Sequence, residues 1–125
     1  MHQIEGINQN RQSMANIETL IKALVDFRNE RNWAQFHNPK DLALALSIEA
    51  AELNELFLWK NADEVKKINR ERIGEELADV FAYALMLAEK YHFDVEEIVL
   101  KKIAENARKY PVEKSKNLAK KYTEL

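Results

Sequence analysis

Residues 77–88 read LADVFAYALMLA. The stretch predicts a helix ending near Tyr91 that is apolar nearly all round, apart from Asp79 and the Tyr83 hydroxyl. Such a helix is buried on several sides, in a core or in a subunit interface. Glu76, just ahead of it, stands three residues before Asp79, so the two acids share one side of the helix. At about 100° per residue they project with Val80, Tyr83 and Leu87. A second helix is predicted over 39–59, PKDLALALSIEAAELNELFLW. It carries a second pair at the same spacing, Glu49 and Glu52. Glu49 falls within the stripe of Leu42, Leu46, Leu53 and Leu56, and Glu52 at its edge beside Ala45. A carboxylate without a partner is costly on a face that packs inward. Glu55 and Glu75 project away from these stripes.

The rest of the chain reads as helices with short links. A first helix is expected over 17–32, capped by Asn16, with Leu20, Ile21, Leu24, Val25 and Phe27 on its apolar side. An aromatic loop follows at 32–38, then Asn38-Pro39 as cap and first turn. Asn61 and Asp63 mark a break, and a polar helical segment over 63–72 leads into the next helix. Asp94 caps a fourth principal helix over 95–109, stopped by Pro111. The expected class is all-α, a four-helix-bundle-like domain over 14–111. Residues 1–13 read as a loose leader or an appended tail, with Met14 a candidate start, and 112–125 as a basic tail.

Composition narrows the function classes. The 125 residues are 46% hydrophobic and 32% charged, which describes a folded chain. Zero cysteines exclude disulfides, thiol catalysis and thiolate metal sites. No apolar run reaches the ~18 residues of a membrane span, and no signal peptide is evident, so the expected compartment is the cytoplasm. The formal charge is −2. Residues 101–125 nonetheless hold eight basic side chains against three acidic ones, so the body is acidic and the C-terminal segment basic.

Four converging carboxylates suit a hard divalent cation. Neither pair has histidine at its fourth position, as di-iron bundles do, and the three histidines are His2, His37 and His92. An all-oxygen set favours Mg²⁺, with Mn²⁺ as the substitute, over zinc or iron. Four acids suit more than one ion, enough to neutralise a triphosphate and activate a water for attack on phosphorus. The aromatics add a base-sized partner. Trp33 and Phe36 precede the second helix, Trp59 ends it, and Tyr83 shares a face with Glu76 and Asp79. Half-exposed indoles stack on nucleobases, and His37 can bond a base edge or a phosphate. The competing reading is a non-catalytic helical interaction module whose acids form structural salt bridges.

Glu49-Ala50-Ala51-Glu52 with Glu76-Leu77-Ala78-Asp79 resembles the metal motif of the MazG-like all-α nucleoside triphosphate pyrophosphohydrolases. Arg31-Asn32-Trp33-Ala34-Gln35-Phe36-His37, the run from Glu52 to Trp59-Lys60, Arg108-Lys109-Tyr110-Pro111 and the ending Lys121-Tyr122-Thr123-Glu124-Leu125 look like the dCTP pyrophosphatase branch. The match spans about residues 17–125. The resemblance implies hydrolysis between the α and β phosphates of dCTP or a modified dCTP, giving a monophosphate and pyrophosphate. It implies Mg²⁺ on Glu49, Glu52, Glu76 and Asp79, and a nucleotide pocket at Trp33, His37, Trp59 and Tyr83. Lys102, Asn106, Arg108 and Tyr110 are then expected near phosphates or sugar. It also implies a homodimer or homotetramer; neither a nucleic-acid polymer nor a membrane is expected as a partner. Leu24 departs from the pattern, standing where relatives can carry a histidine. That leaves room for other pyrimidine or modified deoxynucleotides.

Overall fold

Asn16, Asn38, Asn61, Asn69 and Asp94 each stand immediately before a helix and accept a backbone N–H of its first turn. Each such bond satisfies a donor that the helix itself cannot, worth about 1 kcal/mol. At Asn61 the bond is reciprocated, because Glu64 accepts the Asn61 N–H. The computed structural model describes residues 16–125. The leader expected at 1–13 and the candidate start at Met14 lie outside the described residues.

The helices are α1 (Ile17–Glu30), α2 (Pro39–Glu55), α3 (Ala62–Val65), α4 (Arg70–Lys90), α5 (Val95–Lys109) and α6 (Val112–Ser115), with 3₁₀ turns at Ala34–Phe36 and Tyr122–Glu124. No strand occurs among the described residues, so the class is all-α as expected. Three boundaries differ from the sequence reading. α1 stops at Glu30, because Asn32 takes the left-handed region at φ 55°. α2 stops at Glu55 and tightens through turns to Trp59, itself left-handed at φ 61°. The segment expected to be helical over 63–72 is interrupted after Val65 and restarts at Arg70, where Asn69 supplies a second cap. Helices here end on Asn, His or Trp in the left-handed region, which is how the chain manages with two glycines.

The chain divides into two compact units, residues up to His92 and residues from Phe93 onward. In the first, α2 packs along α4, and α1 packs on α4 as well. Among the described residues Leu42, at 1% exposed, Met86 and Ala88 are the buried apolar side chains. Leu42→Ala should cost about 2–5 kcal/mol, read as a lowered urea midpoint with little change in slope. Arg28 is the buried charge among the described residues; its guanidinium donates to the Glu89 carboxylate at 3.2 Å. Leu44 and Ile48 on α2 and Leu77 and Phe81 on α4 stay half-exposed in the single chain.

In the second unit, acids open α5 and bases close it: Glu96 and Glu97 in the first turn, Arg108 and Lys109 in the last. Both placements match the helix dipole. The segment expected as a basic tail folds back on this end. Tyr110 and Tyr122 meet edge to face at 6.0 Å, and the Lys109 ammonium lies 5.0 Å from the Tyr122 ring centre. No described helix is long and apolar enough to cross a membrane.

Candidate functional site

Packing α2 along α4 brings the acidic pairs together. Carboxylate oxygens of Glu49, Glu76 and Asp79 all lie within 4.8 Å of one another. Glu52 is not in that tightest set, but its carboxyl is hydrogen-bonded to that of Glu49. Glu49 and Glu76 are half-buried, Glu52 and Asp79 exposed. One oxygen of Glu49 and one of Glu76 are buried without any hydrogen-bond partner. Both groups respond electrostatically. Glu49 is pushed up from 4.5 to about 7 by burial, by its hydrogen bond to Glu52, and by the charges of Glu52, Asp79 and Glu76. Glu76 is raised by burial and by Glu52 and Asp79, with Arg72 opposing. Among the described residues none of these four acids forms an ion pair with a basic side chain. Crowded acids with orphaned oxygens and no ion-pair partner fit a divalent metal ion.

A cavity of about 290 Å³ opens on the α1 side of this cluster. Trp33, His37, Tyr83 and Asp79 line it, with Leu24, Phe27, Arg28, Ala82 and Met86. The loop that brings Trp33 there is tied back to the end of α1. The N–H groups of Arg31 and Trp33 both donate to the Arg28 carbonyl, and left-handed Asn32 turns the chain back. Trp33 then packs edge to face on Phe27 at 5.8 Å, and the Arg31 guanidinium covers the Phe27 ring at 3.7 Å. His37 is lowered from 6.5 by burial and by the charges of Arg28 and Lys90, which favours the neutral ring. Its buried Nδ1 has no partner within the chain.

A second cavity, about 560 Å³, lies toward the carboxyl end of α2 and the amino end of α4. Glu52, Glu55, Leu56 and Lys60 line it from the α2 end, and Ile68, Asn69, Arg72 and Glu76 from the α4 end. Glu55, which projects away from the apolar stripe, therefore faces this space.

Of the residues singled out in the sequence, the structure gathers Glu49, Glu52, Glu76, Asp79, Trp33, His37 and Tyr83. It does not bring Trp59 to either cavity; the indole is 91% exposed at the turn after α2. Lys102, Asn106, Arg108 and Tyr110 belong to the second unit and are exposed there. Lys102 pairs with Glu105 at 3.5 Å, and Tyr110 holds Tyr122. Two cations, Arg28 and Arg72, escaped the sequence reading, and Lys60 entered it only as the end of the run from Glu52, without a role. Arg28 was legible in principle, since it falls four residues after Leu24 and seven after Ile21 on an apolar stripe. Arg72 stands one turn before Glu76, a spacing that marks a neighbour on the same face.

Comparison with known proteins places the chain in a family. The MazG-like family model matches residues 44–125. The chain is similar to dCTP pyrophosphatase 1 of Mus musculus, 40% identical over 114 residues that cover 87% of this chain and 67% of that protein. It is 39% identical to dCTP pyrophosphatase 1 of Homo sapiens over the same lengths. Among solved structures, a pyrophosphatase from Archaeoglobus fulgidus DSM 4304 superposes with a TM-score of 0.73 at 39% identity, covering 77% of this chain and 93% of that one. On the family model and these identities, the chain belongs to the MazG-like family.

Proposed function

We propose that this chain is a nucleoside triphosphate pyrophosphohydrolase that cleaves dCTP, or a modified dCTP, to the monophosphate and pyrophosphate. One observation carries the reading. The acid cluster joins two cavities of different character, an aromatic one that shares Asp79 and a charged one that shares Glu52 and Glu76. A nucleotide has the same division, with a flat ring at one end and a polyanionic tail at the other. The names of the relatives point to the same chemistry.

In this proposal Glu49, Glu52, Glu76 and Asp79 hold Mg²⁺, or Mn²⁺ in its place. The bound ion would supply charge neutralisation on the phosphates and a more acidic water. The chain's own residues do the rest. Trp33 and Tyr83 hold the base in the smaller cavity, and neutral His37 offers a hydrogen bond to the base rather than a charge to a phosphate. A carboxylate not taken up by metal accepts the proton of the attacking water. The water oxygen bonds to the α-phosphorus, the bond from that phosphorus to the α–β bridging oxygen breaks, and pyrophosphate leaves with the bonding electrons. Lys102, Asn106, Arg108 and Tyr110 are the family-derived candidates for phosphate and sugar contacts, and Trp59 for the base. Supplied from a second protomer, such residues would complete the pocket in a homodimer or homotetramer. Half-exposed Leu44, Ile48, Leu77 and Phe81 give the apolar surface such an assembly needs.

The test is pyrophosphate release from a panel of deoxy- and ribonucleoside triphosphates, including 5-substituted cytosines, with Mg²⁺. Cytosine deoxynucleotides should be the preferred substrates; a panel that releases none sinks the reading. Trp33→Ala should raise KM by roughly tenfold, the loss expected for one stacked base, with kcat changed much less.

A further inference from the structure

We propose that Lys60 and Arg72 form a subsite for the two terminal phosphates of the substrate, which also holds pyrophosphate as it leaves. This rests on the pyrophosphohydrolase reading, and deepens it by naming the part of the site that recognises the tail.

The order of side chains along α4 is the first ground. Tyr83 lines the aromatic cavity, Asp79 follows one turn nearer the amino end, Glu76 comes next, and Arg72 lies a turn beyond. At 1.5 Å per residue, Arg72 stands roughly 6 Å along the axis from Glu76 and roughly 16 Å from Tyr83. Ring, acids and cation thus succeed one another in the order base, inner phosphate, distal phosphates. With the ring at Tyr83 and the tail at Arg72, the acids fall at the phosphate nearest the sugar. That register directs the cut to the α-phosphorus, and the two outer phosphates depart as one piece.

Availability is the second ground. Lys60, beyond the carboxyl end of α2, lines the same cavity as Arg72. Among the described residues neither cation takes part in an ion pair, although Glu52, Glu55 and Glu76 line the cavity with them. Arg72 is close enough to Glu76 to oppose its protonation. Two cations outside any ion pair, in a cavity of about 560 Å³ beside a metal-type acid cluster, suit a phosphate tail. The guanidinium can bridge two phosphate oxygens and the ammonium can neutralise a third. The amino end of α4 adds a positive field, while Asn69 is already occupied by the Glu71 N–H.

The experiment is calorimetric titration of the full chain with inorganic pyrophosphate in the presence of Mg²⁺, and separately with Mg²⁺ alone. Both side chains are exposed, so Arg72→Ala and Lys60→Ala should fold; melting curves check this. Each should weaken pyrophosphate binding by roughly tenfold, the loss of one charge-assisted contact, and Arg72→Lys should recover part of it. Mg²⁺ alone should bind Arg72→Ala at least as tightly as wild type, because a cation beside Glu76 has gone. A merely structural role for Arg72 would weaken both ligands together. The same pyrophosphate affinity in wild type and both variants overturns the proposal, as does a wild type that binds no pyrophosphate. Turnover of dCTP measured in parallel keeps the two readings apart. Turnover with unchanged pyrophosphate affinity rejects this subsite alone, and absence of turnover with every triphosphate rejects the activity itself.

Discussion

Glu49→Gln and Asp79→Asn should each lower pyrophosphate release by about 10³-fold or more, with the helical fold intact. The magnitude follows from the several kcal/mol that metal-ion stabilisation of a phosphoryl transition state is worth, at about 1.4 kcal/mol per factor of ten. The fold survives because neither carboxylate is tied to a basic partner, so no ion pair is broken when its charge is removed. The interaction-module reading predicts the reverse pattern: no activity to lose, and a stability loss when a structural salt bridge is cut. A ligand that binds only the folded state raises its melting temperature by mass action. Mg²⁺ with nucleotide should therefore stabilise the wild type markedly and Glu49→Gln hardly at all. Wild-type turnover rates in either variant, or in excess chelator, would sink the assignment of these acids to metal. Metal analysis of the purified protein separates Mg²⁺ from a di-iron centre.

The acidic pairs were legible because helix projection depends on local spacing alone. Glu49 and Glu76 stand on stripes that must pack, and both prove half-buried with an orphaned oxygen. The caps Asn16, Asn38 and Asp94 were legible for the same reason. Asn69 was not, because the polar run around it carries helix formers on both sides, and only the turn after Val65 reveals the restart. Trp59 shows the limit of projection at a helix end. The helix expected to run to Trp59 stops at Glu55, and the left-handed turn at Trp59 leaves the indole 91% exposed. Lys60, Arg72 and Arg28 matter through what the tertiary packing sets beside them. A lone cation in a sequence that is 32% charged gives no sign of that.

The metal-free protein should lose stability as pH rises from about 5 to about 8, and Mg²⁺ should reverse that trend. Glu49 titrates near 7 in the folded chain, against 4.5 for an unperturbed carboxyl, and Glu76 is raised in the same direction. Between those two values the folded state holds protons that the unfolded chain has already released. By linkage, stability is then fully present below the ordinary carboxylate pKa and drains away as pH climbs through about 7. Above that Glu49 is charged, and the acids crowded around it oppose that charge. Glu49→Gln isolates this contribution. Near pH 5 it should melt with the wild type, whose Glu49 is protonated there, and at pH 8 in chelator it should melt higher, with one repelling charge gone. Metal binding runs the other way, since ligand carboxylates must be deprotonated and a bound ion displaces their protons. The Mg²⁺-induced rise in melting temperature should therefore be small near pH 5 and grow through pH 7. Melting curves at pH 5, 6, 7 and 8, with chelator and with Mg²⁺, for wild type and Glu49→Gln, decide the matter. A chelated wild type that gains stability relative to the Gln variant as pH rises would mean that Glu49 is held as a charge by some cationic partner, and the cluster would not be poised for metal.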